Sequence, residues 1–310
     1  MTVETIEHAF SVRAPARLSL ANIRGSVEIT AGELDTIEIR AHKHLDTGDA
    51  ENTQVVIRQA DNGDVSAETR FEGIGWFSLP AVKPCKVDYR VRVPQACNLQ
   101  IKGVSNSASI EGISGEIEIS TVSGSLKLVD LAGPLQVKSV SGDISGEKIA
   151  GQLALETVSG DLLLTDSDLA NLNASTVSGD LSIHSLMSSN PVQLKSVSGD
   201  VLLYVPTQTG YTISSQSISG SVVTSLPVTQ RQKSLGQSHV KISGGGTSIL
   251  HRSISGDLIL KENGQVGADA PAVEAEQNTP DHMKMLERIE RGELTVEEAL
   301  HALQPEAPVA

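Results

Sequence analysis

The chain has 310 residues, a net charge of −14, 2% aromatic residues and two cysteines. So acidic a chain, poor in rings, excludes nonspecific nucleic-acid binding, which needs cations on phosphates and aromatic faces under bases. Val, Ile, Leu and Ala must fill the core, and 27 glycines point to short strands and tight turns rather than helices.

The first twenty residues, MTVETIEHAFSVRAPARLSL, carry Glu4 and Glu7 and no long apolar run, so no conventional signal peptide is expected. No 18-residue apolar stretch offers a membrane span. The expectation is a cytoplasmic protein, with a membrane-peripheral placement as the alternative and Cys85 and Cys97 as free thiols. Residues 1–100 are strand-rich but irregular. IRGSVEI (23–29) has the form of a repeat unit, and TIEIRAH, TQVVIRQ and KVDYRVRVP alternate apolar and polar residues as half-buried strands do. This part is expected to begin the β domain and cap one end of it. His42 and His44 share a strand face but have no third ligand nearby. The loop FEGIGWFSLP (71–80) holds three of the seven aromatic residues; its Trp76 and Phe77 are candidates for partner or lipid-headgroup contact, or for a plug on the domain end.

Residues 101–261 are repetitive. TVSGDL occurs at 157–162 and 176–181, with variants at 121–126, 139–144, 196–201, 217–222 and 253–258. Beneath this lies a nine-residue unit, Φ-x-G-x-Φ-x-Φ-x-x with Φ apolar, whose glycines fall at Gly115, Gly124, Gly133, Gly142, Gly151 and Gly160. In a strand these Φ and Gly positions share one face, and the two closing residues supply a turn. An inward glycine implies a bend or a close backbone approach. Only alternate units carry V-S-G-D/S, so the structural period is 18 residues with two strands each. The predicted fold is all-β, a parallel β-solenoid of 18-residue coils; an antiparallel meander is the rival.

With that parity, three columns face outward: Thr121, Ser139 and Thr157 with their equivalents; Ser123, Ser141 and Ser159 with theirs; and Asp143, Asp161, Asp180, Asp200 and Asp257. Carboxylates stacked about 5 Å apart repel by around 1 kcal/mol in water, so something must offset them. Turn amides are the plain answer and a bound cation the sharper one, which makes these five aspartates the weak metal candidates. The hydroxyl columns admit an ice- or glycan-binding plane. No nucleophile elbow, H-E-x-x-H, P-loop or C-x-x-C is present, and no acid–base set identifies an enzyme or a cofactor.

After Lys261 the composition changes. Residues 262–280 are rich in Ala, Glu, Gln and Pro and read as a flexible linker. Residues 281–303 then pattern as a helical hairpin. Met285, Leu286 and Ile289 form one apolar face, Gly292 is a stop, Thr295 with Glu298 is a capping box, and Leu300 lies on the partner face. A hairpin this small buries too little alone, so self-association or docking to an unknown protein partner is expected, with Met285, Leu286, Ile289 and Leu300 as contacts.

The SGD and SGS units, with the strand ending V-R-V-P at Val91–Pro94, resemble the bacterial putative-adhesin family of β-strand-repeat domains over residues 10–260. The tail MLERIERGELTVEEALHAL resembles the SHOCT-like hairpins that accompany such repeats. The resemblance implies a link to cell-envelope stress and, through the adhesin name, a surface location. Three functions follow as expectations: a non-enzymatic scaffold with a docking hairpin, an adhesin binding a cation or glycan through its Ser/Thr/Asp face, and a carbohydrate-active enzyme.

Overall fold

The computed structural model describes residues 2–32, 35–72, 83–187, 191–206, 208–234 and 236–263. Trp76 and Phe77, nearly all of the expected linker, and the 281–303 segment with Met285, Leu286, Ile289 and Leu300 lie outside these residues. All regular structure within them is β.

The repeat is cleanest in three long strands, Leu126–Ser141, Ile144–Ser159 and Leu162–Ser178, each covering most of one period. They run parallel and one period apart: Leu126 pairs with Ile144, which pairs with Leu162. Equivalent residues therefore stack, and an antiparallel meander is excluded for these coils. Leu126, Leu128, Leu135 and Val137 of one coil bury against Ile144, Leu153 and Leu155 of the next. Each such aliphatic side chain contributes about 1.5–3 kcal/mol, so these coils are filled without rings, while Tyr89 and Tyr211 join the core toward the two ends.

Two corner types turn the chain. Asp130, Lys148 and Asp166 recur one per period with φ of 53°, 55° and 49°, a left-handed conformation that bends the strand. The other corner is the V-S-G phrase. Gly142 has φ 126°, and a Cβ there would collide with the carbonyl oxygen of Gly124 in the coil below. The glycine marks the close backbone approach its inward spacing suggested. The slip from 18 to 19 residues also has a local cause. Gly151 pairs with Leu169 but Gln152 pairs with Asn171, so Ala170 is an inserted bulge.

The ends differ from the middle. At the N-terminal side, Ala16–Gly32 stacks parallel on Cys97–Glu111. Lys86–Pro94 follows in parallel, and then Thr36–His44 and Val3–Ser11 add antiparallel. At the C-terminal side, chain order and stacking order part. Val192–Ser198 pairs with Thr247–Ser255, and Val201–Val205 pairs with Leu258–Glu262. Tyr211–Ser217 and Val222–Thr224 lie beyond those two strands. The SISGDL phrase at 253–258 is thus inserted between SVSGDV (196–201) and SISGSV (217–222). An antiparallel pair, Gln237–Ile242 then Val228–Ser234, closes this end.

Candidate functional site

The outward side of the V-S-G-D corner is where repeated chemistry concentrates, and its first column is not outward at all. Ser139 is 0% exposed and Thr121, Thr157 and Thr176 are 2% exposed. Leu135, Val137 and Ser139 alternate onto the core side of one uninterrupted strand. No turn falls at residues 138–139, so inward parity passes through Ser139 and the corner starts only at Val140. The expected outward Thr/Ser column is therefore corrected to an inward one. Some of these hydroxyls close the corner: Thr157 Oγ1 donates to the carbonyl of Ser159 at 3.3 Å, and Ser196 Oγ to that of Gly199 at 3.0 Å.

The aspartate column does lie on the outside, and backbone amides offset its repulsion. Asp143 Oδ1 accepts the amide of Asp161 at 3.1 Å, and Asp161 Oδ1 accepts that of Asp180 at 2.8 Å. Asp180 and Asp200 accept the amides of Asp200 and Asp257, both at 2.7 Å. Asp257 closes the series on the amide and hydroxyl of Ser221. Each carboxylate thus ties its coil to the next. Among the described residues, no group of three or more His, Cys, Asp or Glu side chains is arranged to hold a metal ion. His42 and His44 each take a separate partner: His42 pairs with Thr5, and His44 with the Asp88 carboxylate at 2.8 Å. Burial raises the Asp88 pKa, but hydrogen bonds from Ser26, Lys86 and His44 outweigh it and hold the group below the usual carboxylate value. Cys85 and Cys97 are buried and unpaired, and burial pushes the Cys97 thiol up to about 12.

An apolar stripe escaped the sequence reading. Val140 follows an inward residue in an extended strand, so it points to the opposite, outer side. With Val122 and Val158 it is buried, yet stands apart from the main core. The same position is half-buried at Val177 and Val197, 40% exposed at Ile254 and 82% exposed at Ile218. Leu250, two residues before Arg252 and four before Ile254, is 42% exposed. Lys195, Arg252 and Lys241 lie outward on the same and adjoining strands and are exposed. The stripe ends in a bare, basic-edged apolar patch. The available signal was the adjoining Thr-Val and Ser-Ile pairs: counting inward positions forward from Leu135 and Val137 puts the hydroxyl inside and the aliphatic outside.

Beneath the patch is a buried imidazole. His251 is 1% exposed; its Nδ1 shares a hydrogen bond with Ser215 Oγ at 3.0 Å, while Nε2 has no partner. Burial lowers its pKa to about 4, against the opposing pull of Asp257.

Parallel coils of fixed period, tied at the corner by Gly and Asp columns, define an all-β repeat protein with a Toastrack-like fold. The family model described as Toastrack DUF4097 matches residues 16–261, so the chain belongs to that family, whose function is not known. Comparison with curated proteins finds no match. Two crystal structures are similar. One, named a putative adhesin, is from Bacteroides fragilis; it is 13% identical, with a TM-score of 0.48 over 83% of this chain and 97% of that one. The other, named a putative cell adhesion protein, is from Clostridium sporogenes; it is 14% identical, with a TM-score of 0.28 over 84% of this chain and 100% of that one.

Proposed function

We propose that this protein is a non-enzymatic interaction scaffold: a rigid parallel β-solenoid that carries a SHOCT-like hairpin, residues 281–303, for docking a protein partner or a second copy. The observation that carries this is the corner ladder. From Asp143 to Asp257 the carboxylates hydrogen-bond the next coil's amide, so the repeated polar groups hold the rod together. The Thr/Ser column is spent inside the fold as well. What remains for binding is surface and an appended segment. The resemblance of repeats and tail to proteins linked with cell-envelope stress supports that setting, and the reading keeps the cytoplasmic or membrane-peripheral location expected from the sequence.

The test is Leu286→Glu or Leu300→Glu in the full chain, read by sedimentation and by partner capture from the native host. Oligomeric state or capture changes while the β circular-dichroism signal stays. Unchanged mass with unchanged capture overturns the reading.

A further inference from the structure

We infer that the patch formed by Ile218, Ile254 and Leu250 is a docking site for this chain's own C-terminal segment, residues 281–303. This goes beyond the scaffold reading and stands without it, because it rests on the patch rather than on any external partner.

The first support is the gradient of burial along one structural position. Where the outer stripe is Val122, Val140 and Val158 it is buried, and where it widens to isoleucine it is 40% and 82% exposed. Enlarging an apolar side chain while exposing it costs solvation unless something covers it. The second support is where the chain leads. The strand Leu258–Glu262 begins just past the Gly256–Asp257 corner, four residues after Ile254, and the described residues stop at Asn263. Residues 264–280 then precede the apolar segment, and a flexible chain of that length spans about 23 Å root-mean-square. The patch is therefore within easy reach in cis, at high effective concentration.

The third support is charge. Residues 208–263 hold five Lys or Arg against two Asp or Glu, in a chain of net charge −14. Residues 264–310 hold three against ten. Glu287, Glu290, Glu293, Glu297 and Glu298 are interleaved with Leu286, Ile289, Leu294 and Leu300. An acidic apolar segment fits an apolar patch edged by the paired Lys195 and Arg252, and the charges fix orientation as well as attraction.

The experiment is hydrogen exchange across residues 281–303 in the full-length chain, comparing the native protein with Ile218→Glu/Ile254→Glu and with Leu163→Glu. Leu163 is also 42% exposed but lies on another strand, so its variant controls for added surface charge. The double variant is expected to speed exchange of the segment by about tenfold or more, as release of a docked element does. Leu163→Glu leaves it unchanged, and added salt speeds exchange in the native protein. Three outcomes overturn the inference: exchange at unfolded rates in the native protein, equal exchange in native and double variant, or protection that rises with protein concentration, which would assign the patch to a second copy. Partner capture by Leu286 and Leu300 variants is a separate readout, so failure of the scaffold reading and failure of this docking are distinguishable.

Discussion

The middle coils and the C-terminal coils use the same phrase and treat it differently. Between Leu126 and Ser178, stacking order follows chain order, each coil lies one period from the last, and the outer valines are covered. Between Tyr211 and Glu262 the later phrase is inserted before the earlier one, an antiparallel pair ends the sheet, and the outer isoleucines are bare. The lesson is that an identical motif specifies what kind of neighbour a strand takes, not which copy. A Gly-Asp corner offers the same amide and carboxylate to any other Gly-Asp corner, so loop closure and capping choose among equals.

Single substitutions test how far apart the two regions stand. The largest contrast is in packing. Leu155→Ala in the middle leaves a cavity and is expected to cost about 4 kcal/mol, whereas Val228→Ala in the closing strand Val228–Ser234, 40% exposed, changes stability by less than about 0.5 kcal/mol. Urea unfolding of both decides it, and equal losses would erase the distinction.

Next come the glycines. Gly142→Ala drives a methyl into the Gly124 carbonyl at φ 126° and should cost about 3 kcal/mol from collision and backbone strain together. Gly244→Ala, at φ 82° with open space around its Cβ position, meets only the strain, about 1 kcal/mol. Thermal melts of the pair give the difference.

The C-terminal coils carry a pH effect of their own. His251 is held neutral in the fold down to about pH 4, while the unfolded chain binds that proton near pH 6.5. The unfolded state therefore takes up the proton first as pH falls. Stability is lost between about pH 6.5 and 4, by on the order of 2–3 kcal/mol. His251→Gln should flatten that part of the profile, and a profile identical to the native one would refute the assignment. The smallest effect is at the corner: Asp161→Ala removes the acceptor for the Asp180 amide and should cost about 1 kcal/mol because the site is only partly buried. Calorimetry in the presence and absence of calcium checks that the loss is structural, as it is then independent of the ion.

Much was legible without coordinates. The 18-residue period and the glycine approach follow from the constant spacing of the phrase. An amide offset for Asp143 and its equivalents was expected as a local turn bond, whereas the amide accepted belongs to the next coil, that of Asp161 for Asp143. The side taken by Ser139 and Val140 was not legible. Parity counted from the glycine runs backward through a corner, and a corner of uncertain length can reverse it; only the uninterrupted strand Leu126–Ser141 shows that the inward face belongs to the hydroxyl. The exposed Ile218 was hidden for the same reason, since the pattern assigned every apolar residue of the phrase to the interior.

By itself, then, the sequence determined an all-β repeat of small aliphatic coils with glycine and aspartate at the corners, because these are nearest-neighbour demands repeated at a constant step. The tertiary structure decided which face each corner residue takes, the insertion of residues 247–262 ahead of 211–224, and the bare patch that results. Those depend on how the chain closes over distance, where several equivalent pairings compete and only the whole stack selects one.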